Sequence, residues 1–363
     1  MTDSARAAGK AGPADHERPI ASLPEQSHAT FEVEHKSPLK RIQHFLHGNP
    51  TTIPFIVLAL SIVLFSAIVG GRFFHPFNLS LVLAQVTIIA ILGTAQTLII
   101  LTAGIDLSVG AIMVLSSVVM GRLAVISGVP VPFAFMLGLL VGVGCGLLNG
   151  FLVSKLKLPP FIVTLGTWSI FGALNLWYSQ SQTIRQQEVE AAASFLQFTG
   201  NAFTFMGARI TLGSILMLII AALVWYMLNR TAFGRHIHAT GDDPEAAKLA
   251  GINVTGTLIA VYTLAGFICA VAGWALIGRI GAISSISGAT ANLDSITAVV
   301  IGGTSLFGGR GSIVGTLVGA LIVGVFRNGL ALAGADSLWQ EFAIGLLIIV
   351  AVAIDQWIRK ASA

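Results

Sequence analysis

Charge is scarce in this chain: Asp, Glu, Lys and Arg together make up 10% of its 363 residues. A water-soluble domain carries about 25%, so there is too little polar surface here to meet water, and the soluble globular classes are excluded. Cysteine is scarcer still. Cys145 and Cys269, the 2 present, both lie inside apolar runs and leave no disulfide framework. With 8 scattered histidines they offer no metal-ligand spacing, so no metal and no cofactor is expected. Catalytic groupings are missing too, neither a Ser-His-Asp set nor paired carboxylates being present, and no catalytic residue is expected. IGGTSLFGGRGS at 301–312 tempts a phosphate-loop reading but lacks the GK[ST] ending. It reads as a tight turn between apolar stretches with Arg310 at a membrane surface, so any ATP hydrolysis is expected on a separate subunit. The net charge of +4 is scattered between apolar runs and forms no basic stripe, which excludes a nucleic-acid partner.

Apolar residues are abundant, at 55% of the chain, with a mean hydropathy of +0.86. A membrane span takes about 20 of them. The expected fold class is an all-α integral membrane protein in contact with membrane lipid. Its ten candidate spans are 53–71, 81–101, 106–126, 131–153, 161–179, 211–228, 256–277, 294–308, 312–332 and 340–357. Residues 1–48 are too polar and acidic for a signal peptide. They read as a disordered cytoplasmic tail ahead of a permease domain over 49–358, with a basic amphipathic stretch SPLKRIQHFL near the tail's end. With the N-terminus inside, the cytoplasmic segments receive Lys36, Lys40, Arg41, Lys155, Lys157, Arg230, Arg235, Lys248, Arg310, Arg359 and Lys360. The outer ones receive Arg72, Arg122, Arg185, Arg209 and Arg279, so the positive-inside bias puts both termini in the cytoplasm. The long loop 180–210 is then outside and the long loop 229–255 inside.

Two halves share a pattern. Gly138, Gly142, Gly146 and Gly150 line one face of the fourth span, and Gly311, Gly315 and Gly319 repeat that spacing in the ninth. Such ladders let helix backbones approach closely in lipid. The third span opens at Asp106 and the eighth at Asp294. Spans 2–5 and 7–10 are therefore expected to form an inverted repeat, an arrangement typical of transporters. Asp106 is the only formally charged residue between His75 and Arg122. A carboxylate at a span's centre costs about 2.5–3.5 kcal/mol. The expectation is that Gly104 ends span two and Asp106 caps span three, accepting N–H bonds from Ser108 or Val109 near the cytoplasmic end.

The inner loop contains GDDPEAAKLAGI. Asp243 suits the N-cap of a short helix, Pro244 its first residue and Glu245 its positive dipole end, while Gly251 suits the position just past its C-terminus. Alanines 246, 247 and 250 make a small, flat face fit for docking. This arrangement resembles the cytoplasmic coupling loop of ABC importer permeases. LTAGIDLSVGAIMVLSS, KLPPFIVTLGT and AVVIGGTSLFGGRGSIVGTLVGALIVGVFRNGL likewise resemble the ribose, xylose, arabinose and fructose permeases of bacteria, the fructose type most closely. The resemblance covers residues 40–358. It implies the ABC importer permease fold in the inner membrane, moving a monosaccharide by alternating access. It also implies three partners: an ABC ATP-binding subunit, a periplasmic sugar-binding protein and a second permease subunit forming a homodimer. The ATPase-coupling residues would be Asp242, Asp243, Pro244, Glu245, Ala246, Ala247, Lys248 and Gly251.

Sugars are held by hydrogen-bonding side chains and aromatic faces. Among the polar groups and tryptophans inside spans, Asp106, Asn149, Trp168, Asn175, Asp294, Thr304 and Ser305 are the candidates for the pathway or gate. Gln85, Gln96, Thr164, Thr167 and Thr297 belong to the same polar set. Competing readings are an ion-coupled secondary transporter using Asp106 and Asp294, or an ABC permease for a nucleoside, an autoinducer-like sugar or a branched-chain amino acid.

Overall fold

The computed structural model describes residues 52–288 and 290–360; the tail 1–48 and its amphipathic stretch lie outside the described residues. The chain runs α1 (Thr52–Val69), α2 (Pro76–Leu101), α3 (Val109–Gly121), α4 (Val131–Ser154), α5 (Pro160–Ser179), α6 (Gln186–Ala193), β1 (Ala202–Phe205) and β2 (Ala208–Thr211). It continues through α7 (Leu212–Arg230), α8 (Ala232–Asp242), α9 (Pro244–Leu249), α10 (Val254–Ile280), α11 (Ala291–Ile301), α12 (Ile313–Leu332) and α13 (Ser337–Lys360).

Among the described residues 8 helices are long and apolar enough to cross a membrane, and two shorter apolar ones, Ala291–Ile301 and Ser337–Val350, complete the ten expected. Local chemistry sets several starts. α2, α4 and α5 each carry proline in the first turn, where the missing N–H costs nothing. The eighth span is shorter than expected. It stops at Ile301 because Gly303 turns left-handed at φ +84°, leaving 302–312 as an irregular turn.

α2 is the central helix, with 83% of its most apolar window buried against 17% for α1. Around it the packed pairs repeat. α10 packs on α4 and α3, as α2 packs on α12 and α11; α3 meets α4 and α5, as α11 meets α12 and α13. Exchanging spans 2–5 for spans 7–10 maps each pair onto its counterpart, and the α2–α10 pair onto itself. Spans five apart run in opposite directions, so this pattern supports the inverted repeat.

The glycine ladders are where backbones touch. A β-carbon on Gly146 would overlap the Tyr262 carbonyl of α10, and one on Gly142 would stand 2.6 Å from the Gly266 carbonyl. Gly319 meets the Ala298 carbonyl of α11 in the same way, while Gly144, off the ladder, has nothing within 4 Å. One feature departs from the all-α expectation. The loop 180–210 folds into α6, a 3-10 segment Ser194–Gly200 and, with the residues after it, an antiparallel hairpin pairing Ala202 with Thr211. Met206 and Gly207 at its tip both have positive φ, the backbone of a two-residue hairpin turn.

Candidate functional site: two turns and the loop that meets them

The candidates do not converge on one pocket. They divide between the two ends of the bundle, and the richer set surrounds the α2–α3 turn. α2 ends in a Schellman motif: the Gly104 N–H donates to the Ile99 carbonyl at 3.1 Å and the Ala103 N–H to Ile100 at 2.9 Å. The left-handed residue is Ala103, at φ +58°, and Gly104 closes the motif, ending span two as expected. Gly104 also answers to packing, since a β-carbon there would stand 2.8 Å from the Tyr262 hydroxyl.

Asp106 follows, 2% exposed. Its Oδ1 accepts from the Ser108 N–H at 2.7 Å and the Ser108 hydroxyl at 2.6 Å, and its Oδ2 from Asn149 Nδ2 at 3.4 Å. The expected cap therefore needs correcting. Ser108 occupies the N-cap position of α3, and Asp106 braces the turn two residues earlier. Nor does water lower its cost, because the site is enclosed; neutral hydrogen bonds do so. The neighbouring peptides are held as well. Thr164 of α5 donates to the Ile105 carbonyl at 3.0 Å, and Asn292 of α11 to Leu107 at 3.3 Å. With its amide oriented to match, Gln96 of α2 donates to the Asp106 carbonyl and accepts from its N–H, both at 3.1 Å. Irregular backbone at this depth must be satisfied by protein, and side chains of α2, α5 and α11 do that here, while Asn149 of α4 holds the Asp106 and Ser108 side chains.

The second turn, 302–312, comes alongside. Thr304 and Ser305 are buried in it, and the Ser305 N–H donates to the Arg310 carbonyl at 2.9 Å, leaving Arg310 exposed. The Gly309 N–H reaches across to the Leu101 carbonyl at 3.0 Å, satisfying an acceptor orphaned by the end of α2.

The loop 229–255 lies against both turns. Asp243 caps α9, its Oδ1 accepting from the N–H groups of Glu245 at 2.9 Å and Ala246 at 3.0 Å. Gly251, at φ +84°, closes the other end. The alanine face is divided, with Ala246 outward and Ala247 4% exposed against the bundle. Lys248 points outward, and Leu249 is 90% exposed. Asp242, the last residue of α8, stands beside Gly309.

At the opposite end Asp294 pairs with Arg327, Nη2 to Oδ1 at 2.7 Å, and Arg327 also reaches Glu341 at 3.0 Å. Asn175 donates to the Ser285 carbonyl at 2.8 Å. Trp168 sits apart, on the outer face of α5, 42% exposed. Sequence reasoning missed Tyr262, Asn292 and Leu249. One signal points to the two carboxylates together: Thr-Ala-Gly-Ile-Asp at 102–106 and Thr-Ala-Asn-Leu-Asp at 290–294 match at four of five chemical positions.

The family profile described as branched-chain amino acid transport system / permease component matches residues 78–352. The fructose import permease protein of Rhizobium meliloti is 59% identical to this chain, over 92% of it and 93% of its own length. The ribose import permease protein of Bacillus subtilis (strain 168) is 40% identical over 85% of this chain and 93% of its own. The D-allose transport system permease protein of Escherichia coli (strain K12) is 34% identical over 84% and 91%. No solved structure matches. By that span and those identities, the chain belongs to the branched-chain amino acid transport system / permease component family, as a multi-pass permease of the ABC importer class with sugar import permeases among its relatives.

Proposed function

We propose that this chain is the transmembrane subunit of an ATP-driven importer that carries a monosaccharide, fructose or a near relative, across the bacterial inner membrane by alternating access. The observation that carries this reading is the 59% identity, over nearly the whole chain, to a fructose import permease. ATP hydrolysis falls to a separate ABC subunit that grips residues 242–251. In support, α9 is capped at both ends and holds Leu249 90% exposed; burying that side chain in a partner's cleft returns about 2 kcal/mol. A sugar-binding protein docks on the outer loops, 180–210 among them, and a second copy of the chain completes the pathway. Both termini are cytoplasmic, in keeping with the bias of cations. Asp106 and Asn149 brace the inner gate, beside Thr304 and Ser305, while Asn175 and Asp294 serve the outer end.

The test is reconstitution with the cognate ATPase and binding protein, followed by uptake across a monosaccharide panel. Uptake that requires ATP and both partners is the expected result. Uptake by this chain alone, collapsed by an uncoupler and indifferent to ATP, would sink the proposal in favour of an ion-coupled carrier. Against that alternative, both carboxylates are already engaged, Asp106 by Ser108 and Asp294 by Arg327.

A further inference from the structure

The last turn of α8 meets the α2–α3 turn and the α11–α12 turn at a single point, and there the contacts are backbone on backbone. A β-carbon on Gly241 would overlap the Leu101 carbonyl oxygen and stand 2.9 Å from the Gly309 nitrogen. One on Gly308 would stand 2.5 Å from the Gly241 carbonyl and 2.9 Å from the Ala103 nitrogen. Gly308 and Gly309 have φ of +86° and +71°, so each is also needed for its conformation. Two hydrogen bonds tie the three segments: Gly309 N–H to the Leu101 carbonyl at 3.0 Å, and His238 Nδ1 with the Gly309 carbonyl at 2.9 Å.

Only Asp243 separates α8 from α9, and its N–H is bonded to the Ala239 carbonyl at 3.2 Å. The two short helices are thus one elbow. Side chains at such a junction would absorb a displacement by changing rotamer; glycine backbones in contact have none to change, and close-packed groups transmit strain.

We propose that Gly241, Gly308 and Gly309 form a rigid joint that delivers movement of α9 to both turns together, so that the two turns of the inner gate shift as one body. The joint residues are positioning residues that never meet the sugar. The idea rests on reading α9 as the helix gripped by the ATPase.

The experiment uses the complete transporter in proteoliposomes and measures sugar moved per ATP hydrolysed. Gly308→Ala adds one methyl group to the joint, and His238→Ala removes the one side-chain bond without adding bulk. Gly334→Ala is the control, with the same backbone strain at φ +84° and nothing within 4 Å. A coupling of ordinary size predicts that Gly308→Ala lowers the sugar-to-ATP ratio about tenfold and His238→Ala about threefold, with hydrolysis and the control ratio kept. Unchanged ratios in both joint variants overturn the joint. If Gly308→Ala does not assemble, an unchanged ratio in His238→Ala overturns it alone. Crosslinking from Ala246→Cys to the ATPase separates the two readings. Its absence removes the assignment of α9 to the ATPase and the joint's input with it, whereas crosslinking with unchanged ratios overturns the joint alone.

Discussion

Two pentapeptides, Thr102-Ala-Gly-Ile-Asp106 and Thr290-Ala-Asn-Leu-Asp294, occupy matching places in the two halves and adopt different structures. The first is a buried turn after α2, its carboxylate held by a hydroxyl, an amide and a peptide N–H. The second opens helix α11, with Thr290 at the N-cap position and its carboxylate on a guanidinium. The difference lies in what the fourth span of each half offers. α4 brings Asn149 to Asp106, a neutral partner, and α12 brings Arg327 to Asp294. A buried carboxylate is tolerated by either route, but the routes differ in what happens when a partner is lost.

The largest effect is expected from Arg327→Ala. It strands the Asp294 side chain, 8% exposed, without its cation, and breaking a buried pair this way costs about 3–5 kcal/mol. Thermal unfolding of the purified permease in detergent measures it, and a loss no larger than that of Asn149→Ala would break the comparison. Asn149→Ala comes second. It removes the donor to Ser108 Oγ at 2.9 Å and to Asp106, at about 1–3 kcal/mol for polar groups left unsatisfied. Asp106→Asn is the smallest, because an amide oxygen can still accept from Ser108; about 1 kcal/mol or less is expected, with uptake retained. Lost uptake in a well-assembled complex would instead show that the charge itself functions.

How far these features could be read in advance depends on the range of the interactions. The ten spans and the capped helix α9 are legible because apolar run length, an Asp-Pro start and a Gly stop act within a few residues. The ladder of Gly142, Gly146 and Gly150 is legible by its spacing, though its partner α10 is not. Gln96 and Thr164 look like ordinary polar residues of spans until the α2–α3 turn is placed between them. Tyr262 and Asn292 act on a turn more than a hundred residues away, and nothing beside them in the chain announces it. The hairpin over 202–211 escaped because its strands are 4 residues each, and its turn residues, Met206 and Gly207, are no strong hairpin signal.

By itself the sequence determined that this is a polytopic helical membrane protein with a repeated plan, a short capped helix on one loop, and a carboxylate at the start of the third span in each half. Those outcomes follow from hydropathy, periodicity and local capping, which need no distant partner. The tertiary structure alone decided that one Thr-Ala-x-Ile/Leu-Asp segment is a turn and the other a helix start, and that Gly241, Gly308 and Gly309 meet. The reason is physical: in an interior without water, an irregular backbone takes the conformation whose N–H and C=O groups its neighbours can satisfy, and those neighbours come from helices far away in the chain.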